Sequence, residues 1–546
     1  MNIALVTLNT KFIHSNLSLW CLKAGVENFC KSEHNVCVFE STINADEIGL
    51  LRSIQSFNPD IIAFSCYIWN TEKIISITKI IKQSLSCKIV FGGPEVEYRK
   101  EELLEAYPEI DFICSGEGEW SFSSLIDAIN GDLSPDECNG ISYIKNGKLP
   151  EIIQNRITAT PPSPYSKEYF DSLNGRISYI EASRGCPFRC SYCLSGRIGG
   201  LRYFDFDYVC NNIKQLTDSG TKTIKFIDRT FNADAKKANK ILAFIKNNYT
   251  LTDKDICFHF EIAADILTDE TIKILSEMPD GLCQLEIGIQ SFNKKTLDEV
   301  NRKCNTEKLV SNIRKLVALK NMHIHIDLIA GLPYEDMESF KESFNKAFSL
   351  KTTMLQLGFL KMLHGSEIRD KSDRYDADFS PEAPYEIRKN KWLTKENIMS
   401  LKSCEDALER MYNSSRFLLT IDFLLKETGW TPYELFEKFG SSSDFSKISL
   451  SDYSERIFDF FRIHVNEDRL REVILCDLNS IDVNIHIPEA IMKYDPEYKT
   501  IKKNFTERFH KRVNVVILSS SNQIFIAYPD KKNEITGRFH SEYYTH

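Results

Sequence analysis

The sequence predicts an α/β protein made of two strand–helix modules and a mainly helical C-terminal region. Residues 1–138 alternate short apolar strands with amphipathic helices, and a second alternation runs over 176–366. Over 367–546 helical patterns dominate, with one pair of apolar segments near the end. Near-continuous apolar strands separated by helices are typical of parallel sheets covered on both faces.

The composition is that of a globular protein with several domains. The chain has 546 residues, of which 42% are hydrophobic and 27% charged, and its net charge is −9. This length predicts roughly two to four domains. The acidic balance argues against nucleic-acid binding through a general basic surface. No apolar segment approaches the roughly 18 residues that a membrane helix needs, so no membrane partner is expected.

Cysteine usage predicts a reducing environment. The sixteen cysteines are mostly scattered, and many lie in apolar segments such as NVCVFE and DIIAFSCYIW. The opening residues, MNIALVTL, have the pattern of a strand and lack the basic region and cleavage site of a signal peptide. We therefore expect reduced thiols and a cytoplasmic location.

The first module is predicted to be a doubly wound domain over residues 1–138. Its strands are NIALVTL, NVCVFE, DIIAFSCY, KIVFGG and DFICSG. Ligands of such folds bind beyond the carboxyl ends of the parallel strands. In this module those ends carry the segments NTKFIHSN, SCYIWN, GGPEVE and SGEGEW.

A polar, proline-rich connector is predicted over 139–175. The second module follows with the strands ISYIEAS, TIKFID, ICFHFEI, LCQLEIGIQS, HIHIDLIAG and MLQLGFLKML. This series predicts a barrel or partial barrel whose chemistry lies at the C-terminal strand ends. In the last region, RVNVVILSSSNQIFIAY predicts a β-hairpin.

The segment RGCPFRCSYC, residues 184–193, comes directly after the first strand of the second module. It places Cys186, Cys190 and Cys193 at C-x3-C-x2-C spacing. Structural zinc normally uses four ligands, and the next cysteine, Cys210, lies on a predicted helix. A disulfide would leave one thiol over. Iron–sulfur clusters are held by thiolates at such short spacings, and three ligands leave one iron open.

This segment and its position resemble the radical SAM superfamily, whose motif is C-x3-C-x-aromatic-C after the first barrel strand. The resemblance implies a 4Fe–4S cluster on the three cysteines and S-adenosylmethionine (SAM) on the open iron, where its reductive cleavage yields a 5′-deoxyadenosyl radical. The usual GGE element is absent. The SAM contacts that the resemblance implies are Tyr192, Asp228, Glu261, Gln290, Ser291, Arg302 and Asp327. The alternative is that such polar groups hold the barrel mouth together.

A doubly wound domain before such a barrel resembles the cobalamin-binding domain of B12-dependent radical SAM enzymes. KFIHSNLSLW, FSCYIWN, GGPEVE, GEGE, FIDRTFN and EIGIQS together resemble one largely uncharacterised family of the class B type. A flat corrin ring fringed by amides suits glycine-rich backbone and polar side chains. The implied cobalamin contacts are Thr10, His14, Ser15, Ser65, Tyr67, Trp69, Asn70, Gly92, Gly93, Pro94, Glu95, Gly116, Glu117, Gly118 and Glu119.

His14 lacks the D-x-H-x-x-G context that brings a histidine to cobalt. Phe12 and Leu17 stand where Asp and Gly would be, so no carboxylate orients the imidazole. We expect cobalamin without a histidine on cobalt. The alternative is a doubly wound fold that binds another cofactor or none.

The resemblance implies an enzyme that methylates an unactivated carbon, with cobalamin as the methyl carrier and both cofactors held over one substrate. Similar proteins also catalyse cyclisation or rearrangement. A methylthiotransferase acting on tRNA needs three cysteines at the loop tips of the first module, and the first loop, NTKFIHSN, has none. A cobalamin- or cluster-based sensor is the non-catalytic alternative.

The expected partners are a small-molecule or peptide substrate and a reductase or flavodoxin-type electron donor. The C-terminal region is expected to cap the barrel and to shape the substrate pocket. Tyr375, Tyr385 and Glu386 are candidates for that pocket, and ordinary packing is the alternative for the two tyrosines.

Overall fold

The computed structural model describes residues 1–149, 157–197, 200–249, 256–492 and 495–545, so part of the predicted connector lies outside the described residues. The chain divides into two compact units. The first comprises Met1–Glu261, Lys361–Ser372 and Phe379–Glu386, and the second comprises Ile262–Leu360, Asp373–Asp378 and Ile387–His546. Within the described ranges, no helix has both the length and the apolar character needed to span a bilayer.

The first unit begins with a six-stranded sheet in the order β2-β1-β3-β4-β5-β6, which confirms the predicted doubly wound fold. Five strands are parallel, and the short β6 pairs antiparallel with β5. The strand order reverses between β1 and β3, and ligands bind at such a reversal. The elements are β1 (Asn2–Asn9), α1 (Leu17–Phe29), β2 (Asn35–Thr42), α2 (Glu47–Phe57), β3 (Ile61–Ser65), α3 (Thr71–Ser84), β4 (Lys88–Gly92), α4 (Lys100–Ala106), β5 (Phe112–Cys114), α5 (Gly118–Asn130) and β6 (Ile141–Ser142).

Strand β1 shows why this sheet forms. Ala4, Val6 and Leu8 pack into one apolar core, while Ile3 and Leu5 pack into another. Because successive side chains of a strand point to opposite faces, the sheet is covered on both sides.

The second strand–helix alternation is also confirmed. In the first unit β7, β10 and β11 are parallel neighbours, and an unpredicted antiparallel pair, β8 with β9, flanks the cysteine segment. The elements of this part are α6 (Lys167–Leu173), β7 (Ser178–Ile180), β8 (Ser183–Gly185), β9 (Leu201–Tyr203), α7 (Phe206–Asp218), β10 (Thr223–Phe226), α8 (Ala235–Asn248) and β11 (Cys257–Ile262).

In the second unit β12, β13 and β14 are parallel and alternate with helices. The elements are α9 (Asp269–Ser276), β12 (Cys283–Gln290), α10 (Lys294–Glu299), α11 (Thr306–Leu319), β13 (His323–Ala330), α12 (Met337–Phe348) and β14 (Met354–Phe359).

The C-terminal region is mainly helical, as predicted. The hairpin of β17 and β18 is confirmed, and a third antiparallel strand, β19, follows. The sequence gives no signal for β19 because its side chains are mostly polar and exposed. The elements are α13 (Glu367–Asp370), β15 (Asp378–Phe379), β16 (Ile387–Lys389), α14 (Lys395–Leu408), α15 (Leu418–Thr428), α16 (Pro432–Gly440), α17 (Leu450–Phe461), α18 (Glu467–Asn479), α19 (Tyr498–Phe509), β17 (Asn514–Leu518), β18 (Gln523–Lys532) and β19 (Phe539–Thr545).

Candidate functional site

A large cavity lies in the first unit at the carboxyl ends of the parallel strands. Its volume is about 1620 Å³, above the roughly 300–1,000 Å³ of ordinary small-molecule pockets. Loops after β1, β3, β4 and β5 line it, together with residues around β7, β8, β10 and β11. The lining includes every residue predicted to contact cobalamin except Asn70 and Glu95.

Two aromatic rings form a flat apolar surface at this cavity. Tyr67 and Trp69 stack with ring centroids 4.5 Å apart and an interplanar angle of 4°. The Trp69 indole N–H donates to the Leu8 carbonyl at 3.2 Å, which holds the pair against β1. Trp69 is 43% exposed, an unusual state for so large an apolar side chain. A flat, accessible surface of this kind fits a planar ring such as a corrin.

Two glycines of the cavity lining are required by the conformation of the chain. Gly93 has a φ of +115°, and a Cβ there would lie 2.3 Å from the Cys66 carbonyl oxygen. Gly185 has a φ of +97°, and its Cβ would lie 2.1 Å from the Gly200 carbonyl oxygen. Only glycine adopts these conformations without strain. The two loops therefore present bare backbone at the cavity.

His14 contacts the second module and not a carboxylate of its own loop. Its Nδ1 lies 2.7 Å from the Tyr179 hydroxyl. Burial lowers the pKa of His14, and the charges of Lys11, Lys225 and Arg176 lower it further. The imidazole is therefore neutral at pH 7, and one of its nitrogens is already engaged. That it does not bind cobalt stays a prediction.

Hydrogen bonds join the loop after β1 to the start of β7. The Ile177 amide donates to the Ile13 carbonyl at 2.8 Å, and the Ser15 hydroxyl donates to the Ile177 carbonyl at 2.7 Å. The Arg176 guanidinium donates to the Phe12 carbonyl at 3.0 Å and to the Glu40 carboxylate at 2.5 Å. We call these contacts the seam.

Arginines hold the GEGE loop to the cysteine segment. Arg184 donates to Glu117 at 2.5 Å, to Glu119 at 2.6 Å and to Glu181 at 2.7 Å. Arg202, on β9, donates to both carboxylate oxygens of Glu117. Because Glu119 is only 3% exposed, its carboxylate has lost most of its contact with water and depends on Arg184 for hydrogen bonds. Glu117 and Glu119, predicted as cobalamin contacts, are thus already paired with arginine.

The cysteine loop lies between β8 and β9. Cys190 is buried, whereas Cys186 and Cys193 are half-buried. The Cys193 amide donates to the Cys190 carbonyl at 3.1 Å, which turns the chain between these two residues. No disulfide forms among the cysteines of the described ranges. Three thiols on one tight loop are the donor set of an iron–sulfur cluster with one open iron.

The predicted SAM contacts of the first unit have different surroundings. Glu261 lines the cavity 3.7 Å from the Nζ of Lys225, which also lines it. Asp228 is 2% exposed and lies outside the lining. It accepts bonds from the Ser183 hydroxyl at 2.5 Å and the Ala182 amide at 2.9 Å. Burial raises the pKa of Asp228 to about 7. Tyr192 lies on the cysteine loop.

In the second unit Gln290 ends β12, Ser291 and Arg302 follow that strand, and Asp327 lies within β13. Gln290 has a φ of 71° beside a bulge in the β12–β13 pairing, and its Oε1 is buried without a hydrogen-bond partner. Arg302 donates to the Gly288 carbonyl. Such a strained, unsatisfied side chain is typical of a ligand site. Asp327 lies 2.8 Å from His325.

Ser291 is fully buried in the second unit. Its hydroxyl donates to Glu335 at 2.5 Å, and the Ser343 hydroxyl donates to the same oxygen at 2.9 Å. Burial raises the pKa of Glu335 to about 7. The Glu335 carboxylate therefore links Ser291, which follows β12, to Ser343 on α12.

Comparison with known protein families matches three successive parts of the chain. A model of the B12 binding domain matches residues 3–126, and a model of the radical SAM superfamily matches residues 180–347. A model described as a protein of unknown function (DUF4080) matches residues 373–543.

The chain thus contains a B12-binding domain followed by a radical SAM domain.

Curated relatives include methyltransferases. A 2-(S-pantetheinyl)-carbapenam-3-carboxylate methyltransferase of Streptantibioticus cattleyicolor is 25% identical over 321 residues, which cover 52% of this chain and 44% of that protein. An uncharacterized methyltransferase of Pyrococcus horikoshii is 26% identical over 345 residues, which cover 60% of this chain and 72% of that one. The chain thus matches less than half the length of the first of these relatives.

A solved structure shares the fold. The cobalamin-dependent S-adenosylmethionine radical enzyme OxsB, with aqua-cobalamin and S-adenosylmethionine bound, gives a TM-score of 0.64 at 16% identity. The match covers 93% of this chain and 84% of that one.

Two residues predicted as cobalamin contacts do not line the cavity, and their side chains are hydrogen-bonded to other residues of the first unit. Asn70 is fully buried, and its amide donates to the Leu8 and Ser65 carbonyls, each at 3.1 Å. Glu95 is 5% exposed and accepts a hydrogen bond from the Tyr385 hydroxyl at 2.6 Å. Burial raises the pKa of Glu95. Tyr385, a predicted pocket residue, is itself buried by this contact.

The other two pocket candidates differ in their surroundings. Tyr375 is buried, and its hydroxyl donates to Glu299 at 2.9 Å within the second unit. Glu386 lies in the first unit in a bridge with Lys361.

Sequence reasoning missed Arg184, Arg202, Lys225 and Glu335 as site residues. Arg184 is two residues before Cys186, and this position next to the motif is a signal that could have identified it. The others carry no such signal, because their partners are distant in the sequence and become visible only in the fold.

Proposed function

We propose that the chain is a cobalamin-dependent radical SAM enzyme that transfers a methyl group to an unactivated carbon of a small-molecule or peptide substrate. One observation carries the proposal: a single cavity of about 1620 Å³ is lined by strand-end loops of the B12-binding domain and by Gly185 and Leu194, which flank the cysteine loop. One space can therefore hold both cofactors beside one substrate, and proximity of this kind lowers the barrier of a multi-step transfer.

The chain's own residues hold and orient the groups. Cys186, Cys190 and Cys193 hold the cluster, and the stacked Tyr67 and Trp69 face the corrin. When bound, the cluster with SAM supplies radical chemistry and cobalamin supplies the methyl carrier. Because the arginine network joins the cysteine segment to the GEGE loop, it fixes the distance between the two holding surfaces.

Polar side chains inside the cavity are suited to SAM. With SAM bound, Glu261 would accept hydrogen bonds from the ribose hydroxyls, and Lys225 would neutralise Glu261 or pair with the SAM carboxylate.

The relatives support the methyl-transfer part of the proposal, because the two reported above are named methyltransferases. The free thiols that a cluster needs persist in a reducing cytoplasm. A reductase or flavodoxin-type protein is proposed as the electron donor.

The first experiment measures whether the cavity binds a corrin. The full-length protein is reconstituted anaerobically with iron, sulfide and hydroxocobalamin, passed over gel filtration and examined by UV–visible spectroscopy. We expect corrin and cluster absorption to elute together. Trp69→Ala should lose most of the corrin and keep the cluster. Trp120→Ala, the same change on α5 outside the cavity lining, should keep both. Cluster absorption without corrin in the unaltered chain would overturn the cobalamin assignment.

A second experiment separates methyl transfer from the other radical reactions. The reconstituted protein is incubated with SAM and a reductant, and the products are quantified by mass spectrometry. Methyl transfer predicts S-adenosylhomocysteine together with 5′-deoxyadenosine. A cyclase or rearrangement enzyme would give 5′-deoxyadenosine without S-adenosylhomocysteine, and that result would overturn the methyltransferase proposal.

A further inference from the structure

Three ligand-type side chains share one face of strands β12 and β13 in the second unit. Glu286 and His325 are direct partners in the parallel register, and Asp327 follows His325 by two residues. One donor atom from each lies within 4.8 Å of the other two. In the part of the chain that the structure describes, one other trio meets this criterion, and it consists of Cys30, His34 and Asp127.

The contact between His325 and Asp327 lacks the geometry of a hydrogen bond. Nε2 lies 2.8 Å from Oδ1, yet neither atom has a hydrogen-bond partner. His325 is only 8% exposed, so water does not satisfy this nitrogen. Donor atoms that are close together without bonding to each other are arranged like ligands of one cation. With metal–ligand bonds of about 2.0–2.1 Å, neighbouring donors lie about 2.9 Å apart around an octahedral ion and about 3.3 Å apart around a tetrahedral one.

We propose that Glu286, His325 and Asp327 bind one divalent first-row transition-metal ion. The donor set combines one imidazole nitrogen, which suits zinc and iron, with two carboxylates, which also suit manganese. Two carboxylate charges neutralise the ion. Three protein ligands leave a coordination position for water or a substrate oxygen, as in catalytic zinc sites. The proposal differs from the SAM role implied for Asp327, because it requires His325 and Glu286 as well.

Zinc is the probe of choice, because the cluster contains iron and cobalamin contains cobalt. The reconstituted full-length protein, whose cluster occupies the three thiols, is stripped with EDTA and titrated with zinc chloride by calorimetry. Zinc that remains after gel filtration is counted by mass spectrometry. We expect one zinc ion per chain. His325→Ala should weaken binding at least about 100-fold, because it removes a ligand of the ion.

Two variants serve as controls. His34→Ala makes the same change in the trio of Cys30, His34 and Asp127, and it should leave zinc binding unchanged. Glu286→Gln keeps the shape of the side chain and removes one charge, so it should weaken binding even if His325→Ala folds poorly. Circular dichroism reports folding for each variant.

Three results would overturn the proposal: no stoichiometric zinc in the unaltered chain, unchanged zinc binding in both His325→Ala and Glu286→Gln, or loss of zinc in His34→Ala alone. Zinc lost only when Cys186, Cys190 and Cys193 are all replaced by Ala would show that the ion binds the cysteine loop.

Discussion

Two sets of parallel strands in this chain use their faces differently. In β1 almost every side chain is buried, because helices cover both faces. In β12 buried residues alternate strictly with half-buried ones, and the latter include Glu286 and Gln290. A sheet buried on both faces has room for ligands only beyond its strand ends. A strand with one polar face offers donor atoms along its whole length.

The largest expected effect is the loss of the iron–sulfur cluster when a cysteine of the loop after β8 is replaced. Cys190→Ala should abolish cluster assembly, because two thiolates do not hold four irons on a loop of this size. Iron per chain after reconstitution should fall from about four to nearly zero, as measured by a colorimetric iron assay. Cys210→Ala, on helix α7, should retain full iron. Iron retained in Cys190→Ala would refute the cluster assignment.

The arginine network joins strand-end loops of the two modules. Removing Arg184 should therefore lower the stability of the chain far more than removing an exposed ion pair. Arg184→Ala leaves the buried Glu119 carboxylate without its partner and should cost about 3–5 kcal/mol of unfolding free energy. Thermal unfolding measures the loss. Lys315→Ala removes a pair whose carboxylate side chain is 94% exposed and should change little. Equal effects of the two substitutions would contradict this account.

The buried Glu335 should make the stability of the second unit depend on pH. Burial raises its pKa from 4.5 to about 7, so the folded state binds its proton more tightly than the unfolded state. The stabilisation is fully present below pH 4.5 and is lost as the pH rises through 7. Between pH 4.5 and 8 the unaltered chain should therefore lose up to about 3 kcal/mol relative to Glu335→Gln.

Midpoints of thermal unfolding at pH 4.5 and pH 8 measure this difference. Glu338→Gln, at a position whose side chain is 80% exposed, should leave the pH profile of the unaltered chain unchanged. Parallel pH profiles for Glu335→Gln and the unaltered chain would show that Glu335 is ionised in the fold.

The smallest effects compare two glycines of the first unit. Gly93→Ala places a Cβ 2.3 Å from a carbonyl oxygen at a φ of +115° and should destabilise the chain by roughly 1–3 kcal/mol. Gly49 lies inside helix α2, and apart from its chain neighbours and the backbone of its own helix no atom of the described residues comes within 4 Å of the position that an alanine Cβ would take. Gly49→Ala should therefore stabilise the chain by roughly 0.5–1 kcal/mol. Urea unfolding measures both. An unchanged unfolding free energy in Gly93→Ala would show that the loop after β4 does not require glycine at this position.

The contrast between strands buried on both faces and strands with one polar face explains which parts of the molecule could be predicted from the sequence. The first sheet was predictable because its strands are apolar throughout, and the rule for strand ends then gave residues such as His14, Trp69 and Gly93. Glu286 and His325 were not predicted, because polar residues at alternate positions are ordinary in a strand and no motif marks them. The pairing of Arg184 with Glu117 and Glu119 joins positions more than sixty residues apart in the chain, and only the fold brings them together.

The seam has a kinetic consequence. One backbone and two side-chain hydrogen bonds tie the loop after β1 to Arg176 and Ile177, so the two domains cannot swing apart at this edge without breaking several bonds at once. A large cofactor seated in the cavity then leaves only when individual loops open. Slow exchange against free corrin in solution follows, and the protein should retain its cofactor through dilution long after a simple surface site would have emptied.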